Sequence, residues 1–295
     1  MDPQAIILGG VLAPALAAGI LLALAWKIWS TEDGSIDGRW IGAPALAAAF
    51  LATFFYLSGL PASPLPGSSR TPTGLDWLAW LVIFTAPILP IEPKFGRYRH
   101  LLRGIVAIIA VRLVLFNAFA STWNFAEGTL WTAGLSVLFL ILWSVLSSQT
   151  AARPGASSPL FLWVLATGLA LLSSLSGSAK IAQLSGALAA GLGAATVIAW
   201  RVPRLSLSGA GTALALLILF GLSLNAHFYS YTTGVDILLF ASAPFLALLT
   251  KLPRIRRMSD ARQTLFLVFI TALPIAIAIG HATIKFMEAA DEYDY

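Results

Sequence analysis

Two acidic residues follow the same short motif at widely separated points of the chain. The segments Thr73–Asp76 (TGLD) and Thr233–Asp236 (TGVD) each open a long apolar run. Threonine and aspartate at a helix start accept hydrogen bonds from free backbone N–H groups, and the helix dipole stabilises an acid there. Two such carboxylates facing one external vestibule could instead bind a cation or exchange a proton. The motif therefore predicts helix caps, with a paired ion or proton site as the alternative.

Arg112 falls inside a predicted apolar span. A charge at the centre of a bilayer costs about 2.5–3.5 kcal/mol on the insertion scale, so its side chain is expected to face the protein interior or water. There it could bind an anionic solute or serve in coupling. The alternatives are a structural ion pair with Glu92 or Glu127, and contact with lipid or a partner.

Further polar residues are expected at the outer ends of two spans. Asn225 and His227 close the eighth predicted span, and His281 lies near the outer end of the tenth. The two histidines could ligate a metal or a haem-like cofactor. No helix carries paired histidines at metal spacing, so no cofactor is implied, and hydrogen-bonded interfacial residues are the plainer interpretation.

Motifs of soluble enzymes are missing. The chain has no cysteine, which excludes disulfides, thiolate metal sites and cysteine nucleophiles. It also lacks the nucleophile elbow, the HExxH zinc motif and the phosphate-binding glycine loops. These gaps favour a protein that is not an enzyme, although membrane enzymes without such motifs keep that alternative open.

The composition is that of a chain that lies in a membrane. Of the 295 residues, 58% are hydrophobic and 11% are charged, whereas a soluble domain carries about 25% charged residues. Continuous apolar runs favour helices over an alternating barrel pattern. We predict an all-α polytopic membrane protein with about ten transmembrane helices, near residues 4–26, 40–60, 75–91, 101–121, 128–147, 159–175, 180–200, 208–226, 235–250 and 263–286.

The distribution of cations predicts the orientation. Alternate connections between spans carry fourteen of the eighteen Lys and Arg residues, the other side carries three, and Arg112 lies within a span. Since cytoplasmic loops are rich in Lys and Arg, both termini are expected outside the cytoplasm, and we assign the chain to a bacterial inner membrane. The same cations are expected to contact anionic lipid. Their scatter over short loops argues against nucleic acid as a partner.

The chain shows signs of an internal duplication. Residues 86–99 and 243–256 align without gaps and share six of fourteen positions. Spans 1–4 and 7–10 would then be two copies of a four-helix unit in the same orientation, joined by spans 5 and 6. The corresponding boundaries are 1–121, 122–178 and 179–295. Two unrelated spans that obey the same rules for flanks and caps are the alternative.

Prolines fall inside three predicted spans, at Pro87, Pro244 and Pro274, and the first two are equivalent in the duplication. A proline removes a backbone donor, so a kink is expected at each position. Broken helices line the binding sites of many transporters, while other kinks serve packing alone.

Two functions fit these features. One is a transporter or permease for a small apolar or anionic solute, because the spans hold few polar groups that could guide a cation. The other is a non-catalytic accessory subunit of a larger membrane complex, because short loops and small residues suit helix packing within the bilayer.

Overall fold

The computed structural model describes residues 8–29, 38–65, 70–151, 155–202, 207 and 209–293. Within these ranges the chain forms helices and short connections, without a strand. A helix satisfies the backbone hydrogen bonds of an apolar segment internally, which is what a lipid environment requires. The all-α polytopic architecture expected from the composition is therefore confirmed.

The α-helices are α1 Ala13–Trp29, α2 Gly38–Ser58, α3 Gly74–Ile88, α4 Arg99–Val114, α5 Phe116–Ser121, α6 Phe125–Ala151, α7 Ser157–Leu175, α8 Ala179–Arg201, α9 Ala210–Tyr229, α10 Gly234–Leu246, α11 Pro253–Arg256 and α12 Asp260–Tyr293. A π-helical turn, Leu8–Leu12, precedes α1. The 3-10 segments Leu89–Tyr98 and Ala247–Lys251 follow α3 and α10.

Eight helical stretches in the described ranges are long and apolar enough to cross a membrane. Their length and composition fit an integral membrane protein. One of them, Gly74–Val114, is 41 residues long, and the apolar helix Gly10–Leu24 is shorter than a full span. Ten crossings therefore stay a prediction, which depends on how these two stretches are counted.

The long stretch Gly74–Val114 reverses its direction. Gly96 interrupts it with φ 52° and ψ −118°, a backbone conformation that favours glycine. Trp77, at the start of α3, contacts Phe116, just beyond the end of α4, with ring centroids 6.0 Å apart. Since the beginning of one helix meets the end of the other, α3 and α4 form an antiparallel hairpin.

Helix α9 is the centre of the molecule. Every residue from Ala210 to Ala226 is buried, and α9 packs against α2, α3, α4, α6, α7 and α8. The polar side chains Ser223 and Asn225 donate to carbonyls one turn earlier in α9, those of Leu219 and Gly221. The middle of the molecule is therefore filled by an apolar helix.

The other helices surround α9 in close pairs. Helix α1 packs against α2 and α8, α7 packs against α8, and α12 packs against α7 and α10. Helices from the two predicted repeats are thus intermixed, since α1 contacts α8 and α2 contacts α9. Neither the duplication nor the predicted boundaries 1–121, 122–178 and 179–295 are decided by this arrangement, and both stay predictions.

The three prolines lie in different helical contexts. Pro87 comes two residues before the 3-10 segment Leu89–Tyr98, and Pro244 comes three residues before Ala247–Lys251. Pro274 lies inside the continuous helix α12. The α-helical hydrogen-bond pattern therefore changes shortly after Pro87 and Pro244, while at Pro274 the helix continues.

Candidate functional site

Asp76 is held by a complete set of donors at the start of α3. Its Oδ2 accepts from the backbone N–H of Thr73 at 2.9 Å and from the Thr73 hydroxyl at 2.7 Å. Its Oδ1 accepts from the backbone N–H of Ala62 at 3.2 Å and from Arg70 Nη2 at 2.6 Å. The residue is 1% exposed. The expected cap is present as a reciprocal capping box, because Thr73 Oγ1 also accepts from the N–H of Asp76.

Asp236 occupies the matching position in α10 but has other partners. Its Oδ2 accepts from the Thr233 hydroxyl at 2.7 Å, and its backbone N–H donates to Thr233 Oγ1. Its Oδ1 lies 2.7 Å from Nδ1 of His281, which comes from α12. Asp236 is 1% exposed, yet it borders a cavity of about 230 Å³ that Tyr231 and Lys285 also line. The threonine hydroxyl donates to both acids, but at Asp236 the adjustable imidazole of His281 stands where Asp76 has two fixed backbone donors.

Asn225 acts at a close approach of three helices. A Cβ on Gly74 would lie 2.5 Å from the carbonyl oxygen of Val114 and 2.6 Å from Asn225 Oδ1, so only glycine fits there. The Tyr229 hydroxyl accepts from the N–H of Ala118, beyond the break between α4 and α5. Asn225 and Tyr229 therefore join the start of α3 to the ends of α4 and α9, and Asn225 itself is buried in this packing.

The two candidate histidine ligands have separate partners. His227 Nδ1 lies 3.1 Å from the carbonyl oxygen of Thr232, while His281 binds Asp236. Across the residues that the structure describes, no group of three or more His, Asp or Glu side chains could hold a metal ion. A hydrogen bond orients each of the two imidazole rings, and each ring has a different partner.

Arg112 lies in the last turn of α4, and its side chain is exposed. Its guanidinium stands over the ring of Phe119, 3.6 Å from the centroid. Of the two acids considered as partners, Glu92 pairs with Arg103, and Glu127 accepts from the backbone N–H of Asn124. We expected Arg112 to face the protein interior or water; its side chain lies on the outside of the helix bundle, and its role in binding or coupling stays a prediction.

An apolar groove of about 280 Å³ lies between α3 and α4. Its walls include Phe84 and Ile88 of α3 and Ile105 and Ile109 of α4, whose side chains are exposed on the outside of the helix bundle. Trp143 of α6 closes the groove from behind and is itself 2% exposed. The groove therefore opens sideways, toward the place that the bilayer would occupy.

A partly buried ion pair lies at the end of this groove near the break at Gly96. Arg103 donates through Nε at 2.7 Å to Glu92 Oε1, which lies 2.6 Å from Nη2 of the same guanidinium. The guanidinium also lies over the ring of Trp143, 5.0 Å from its centroid. At the other end, the buried indole N–H of Trp77 has no hydrogen-bond partner among the described residues. The groove thus carries polar groups at its two ends and apolar walls between them.

Sequence reasoning did not single out the Glu92–Arg103 pair. The two residues are eleven positions apart and lie on either side of the break at Gly96, so no helical spacing connects them. The only available signal was that each is a charged residue beside an apolar run.

No protein-family model matches the chain, and no curated protein matches it.

Proposed function

We propose that the chain is a membrane permease for a small organic anion, one charged group attached to a mostly apolar body. One observation carries the proposal: the lateral groove between α3 and α4 combines apolar walls with the Arg103–Glu92 pair at its end. Transporter sites use a few placed polar groups within apolar walls to orient a ligand. The volume of about 280 Å³ lies just below the usual range of about 300–1,000 Å³ for drug-sized ligands, which favours a small solute.

The chemistry of Arg103 suits an anion. A guanidinium has five N–H donors, and Glu92 Oε1 accepts from two nitrogens of Arg103. A carboxylate, sulfonate or phosphate could share the remaining donors or exchange with Glu92. The Trp77 N–H is a further donor for a solute acceptor at the outer end.

The filled centre of the bundle also favours a lateral route. Helix α9 is buried from Ala210 to Ala226, and its few polar side chains, Thr212, Ser223 and Asn225, already donate to backbone carbonyls, so it offers little to a hydrated ion. A solute with a large apolar part can instead pass beside α4 while its charged group stays near Arg103.

Uptake of sulfonates into proteoliposomes tests the proposal. Hexanesulfonate and benzenesulfonate are suitable probes because they stay charged and cross lipid slowly without a carrier. Val106→Phe places a ring in the groove and should lower saturable uptake by about tenfold, the equivalent of about 1.4 kcal/mol. Leu101→Phe on the same helix is the matched control, since Leu101 is exposed and lies outside the groove. Uptake that is absent from the wild type, or unchanged in Val106→Phe, would reject the proposal.

The accessory-subunit alternative makes the opposite prediction for extraction. A permease should leave the membrane in mild detergent as the 31.3 kDa chain or as a small homo-oligomer. A subunit should leave it within a large assembly of other chains. Light scattering of the extracted particle, together with identification of any co-purifying chains, separates the two functions.

The proposed topology has ten crossings and both termini outside the cytoplasm of a bacterial cell. It counts α1 as one span and the antiparallel helices α3 and α4 as two. Single cysteines at Thr71 and Ser121 flank the α3–α4 hairpin and should label from the same side, opposite to Ser259. Labelling of Thr71→Cys and Ser121→Cys from different sides would show that the hairpin does not cross twice.

The proposed duplication draws support from the two capped acids. Thr73 and Thr233 each accept from the N–H of the aspartate three residues later, and a 3-10 segment follows each helix. In this proposal α1 corresponds to α8 and α2 to α9, and the members of each pair pack against one another. Such pairing suits two copies related by an axis along the membrane normal.

A further inference from the structure

We propose that Arg112 and the aromatic residues around it bind the phosphate group of a phospholipid in the outer leaflet. The site lies on the α6 side of α4, whereas the groove lies on its α3 side. It is therefore separate from the proposed solute route, and it does not depend on whether a solute is transported.

The guanidinium of Arg112 is positioned but not neutralised. It lies 3.6 Å from the centroid of the Phe119 ring, a cation–π arrangement that fixes one face of the group. Among the described residues Arg112 makes no ion pair, since the acid nearest in sequence, Glu127, is bound to the N–H of Asn124. The edge of the guanidinium therefore keeps donors for an external anion.

Packing holds Phe119 in place beneath Arg112. The ring lies so close to Gly128 of α6 that a Cβ at this position would collide with it. On its other side Phe119 meets the Trp123 ring edge-on, with centroids 5.1 Å apart. Arg112, Phe119 and Trp123 line one cavity of about 510 Å³, together with Ile108 and Phe125. The cation thus has a built aromatic support, and it is not simply a mobile surface side chain.

The depth of Arg112 points to a lipid. It comes thirteen residues after the start of α4 at Arg99, which is about 20 Å along the helix axis. The hydrocarbon core of a bilayer is about 30 Å thick, so in the proposed orientation Arg112 lies in the outer half of that core. A charge at this depth extends toward the headgroups, where phosphate groups are the available anions.

The walls of the cavity select a phospholipid over free phosphate. Ile108 and Ala133 present apolar surface beside Arg112, and Phe125 is 91% exposed at the outer rim. An acyl chain can cover this surface while the phosphate receives two N–H groups from the guanidinium fork. Free phosphate would leave the apolar walls uncovered.

Native mass spectrometry of the purified protein tests this site. The probe is dioleoyl phosphatidylglycerol, and the variants are Arg112→Gln, Arg112→Lys and Phe119→Leu. We expect Arg112→Gln to weaken binding of the first lipid by about tenfold, and the other two variants by about threefold, because each keeps part of the site. Lys285→Gln removes an exposed cation outside this cavity and should leave binding unchanged.

Two further ligands separate the possible sources of the anion. Dioleoylglycerol has the same chains without phosphate and should bind at least about tenfold more weakly than phosphatidylglycerol. Millimolar inorganic phosphate should not displace the lipid. Equal binding of both lipids, displacement by phosphate, or equal retention by the wild type and Arg112→Gln would overturn the proposal. If Arg112→Gln does not fold, the other two variants decide: lipid binding that is unchanged in both Arg112→Lys and Phe119→Leu would overturn the proposal.

Discussion

Asp76 and Asp236 begin two helices with the same motif, yet their carboxylates have different surroundings. Two of the donors to Asp76 are backbone N–H groups, those of Ala62 and Thr73, which cannot rotate away. The donors to Asp236 are a threonine hydroxyl and a histidine ring. Both residues are 1% exposed, so burial does not distinguish them. The difference lies in whether the partners can adjust.

The connection before each motif accounts for this difference. Between Tyr56 and Thr73 the chain has thirteen more residues than between Tyr229 and Thr233. Those extra residues supply both Ala62 and Arg70, and the indole of Trp80 holds the loop on α3 by donating to the carbonyl of Ala62. The longer loop therefore fixes one acid in place, while the shorter one leaves the other beside an open cavity.

The largest expected effect follows from removing the negative charge at each position. In Asp76→Asn, either orientation of the amide places its NH2 group against a fixed backbone N–H, so one buried donor loses its acceptor. We expect a loss of about 3 kcal/mol in the free energy of unfolding. In Asp236→Asn the Thr233 hydroxyl can turn to accept from the amide, and we expect a loss below about 1 kcal/mol. Titration with sodium dodecyl sulfate in mixed micelles measures the free energy of unfolding of both variants.

Equal losses in these two variants would break the comparison. They would mean that the fixed donors at Asp76 contribute no more than the adjustable ones at Asp236. Asp260→Asn is a suitable control, because Asp260 is exposed at the start of α12 and shares no partner with either site.

The caps could be predicted from sequence because they are local. Thr73 and Asp76 are three residues apart, as are Thr233 and Asp236, and a helix start brings residues at that spacing together whatever surrounds them. The long-range partners could not be predicted in this way. Ala62 and His281 are separated from their acids by 14 and 45 positions, and only the path of a loop and the packing of α12 bring them close.

The direction of Arg112 was beyond sequence reasoning for another reason. In water, the apolar face of a helix marks the side that packs, but lipid and protein core are both apolar, so membrane helices are apolar all round. Helix α4 carries apolar residues on both its exposed and its buried faces: Ile108 is exposed, whereas Val111 is buried. A periodic pattern could therefore place Arg112 along the helix but could not decide which side it faced.

Replacing either capping threonine should have a smaller effect than Asp76→Asn, and the effect should be equal at the two positions. Thr73→Ala and Thr233→Ala each remove the oxygen that accepts from the N–H of the following aspartate, with both bonds at 3.3 Å. Each change should lower the free energy of unfolding by about 1 kcal/mol, as loss of a cap usually does. The same detergent titration measures this, with Thr129→Ala as a control on an exposed helix surface. A much larger loss in Thr73→Ala would show that the reciprocal box at Asp76 adds stability beyond the shared cap.

The smallest expected effect belongs to Arg70. Its side chain is 52% exposed, so water and salt screen its attraction to Asp76 even though the atoms are 2.6 Å apart. Arg70→Gln should therefore cost less than about 1 kcal/mol in the free energy of unfolding, and less again in high salt. If it cost as much as Asp76→Asn, the fixed backbone donors could not be what distinguishes the two acids. The cation supplied by the longer loop would then be the cause, and adding a cation beside Asp236 should reproduce the effect.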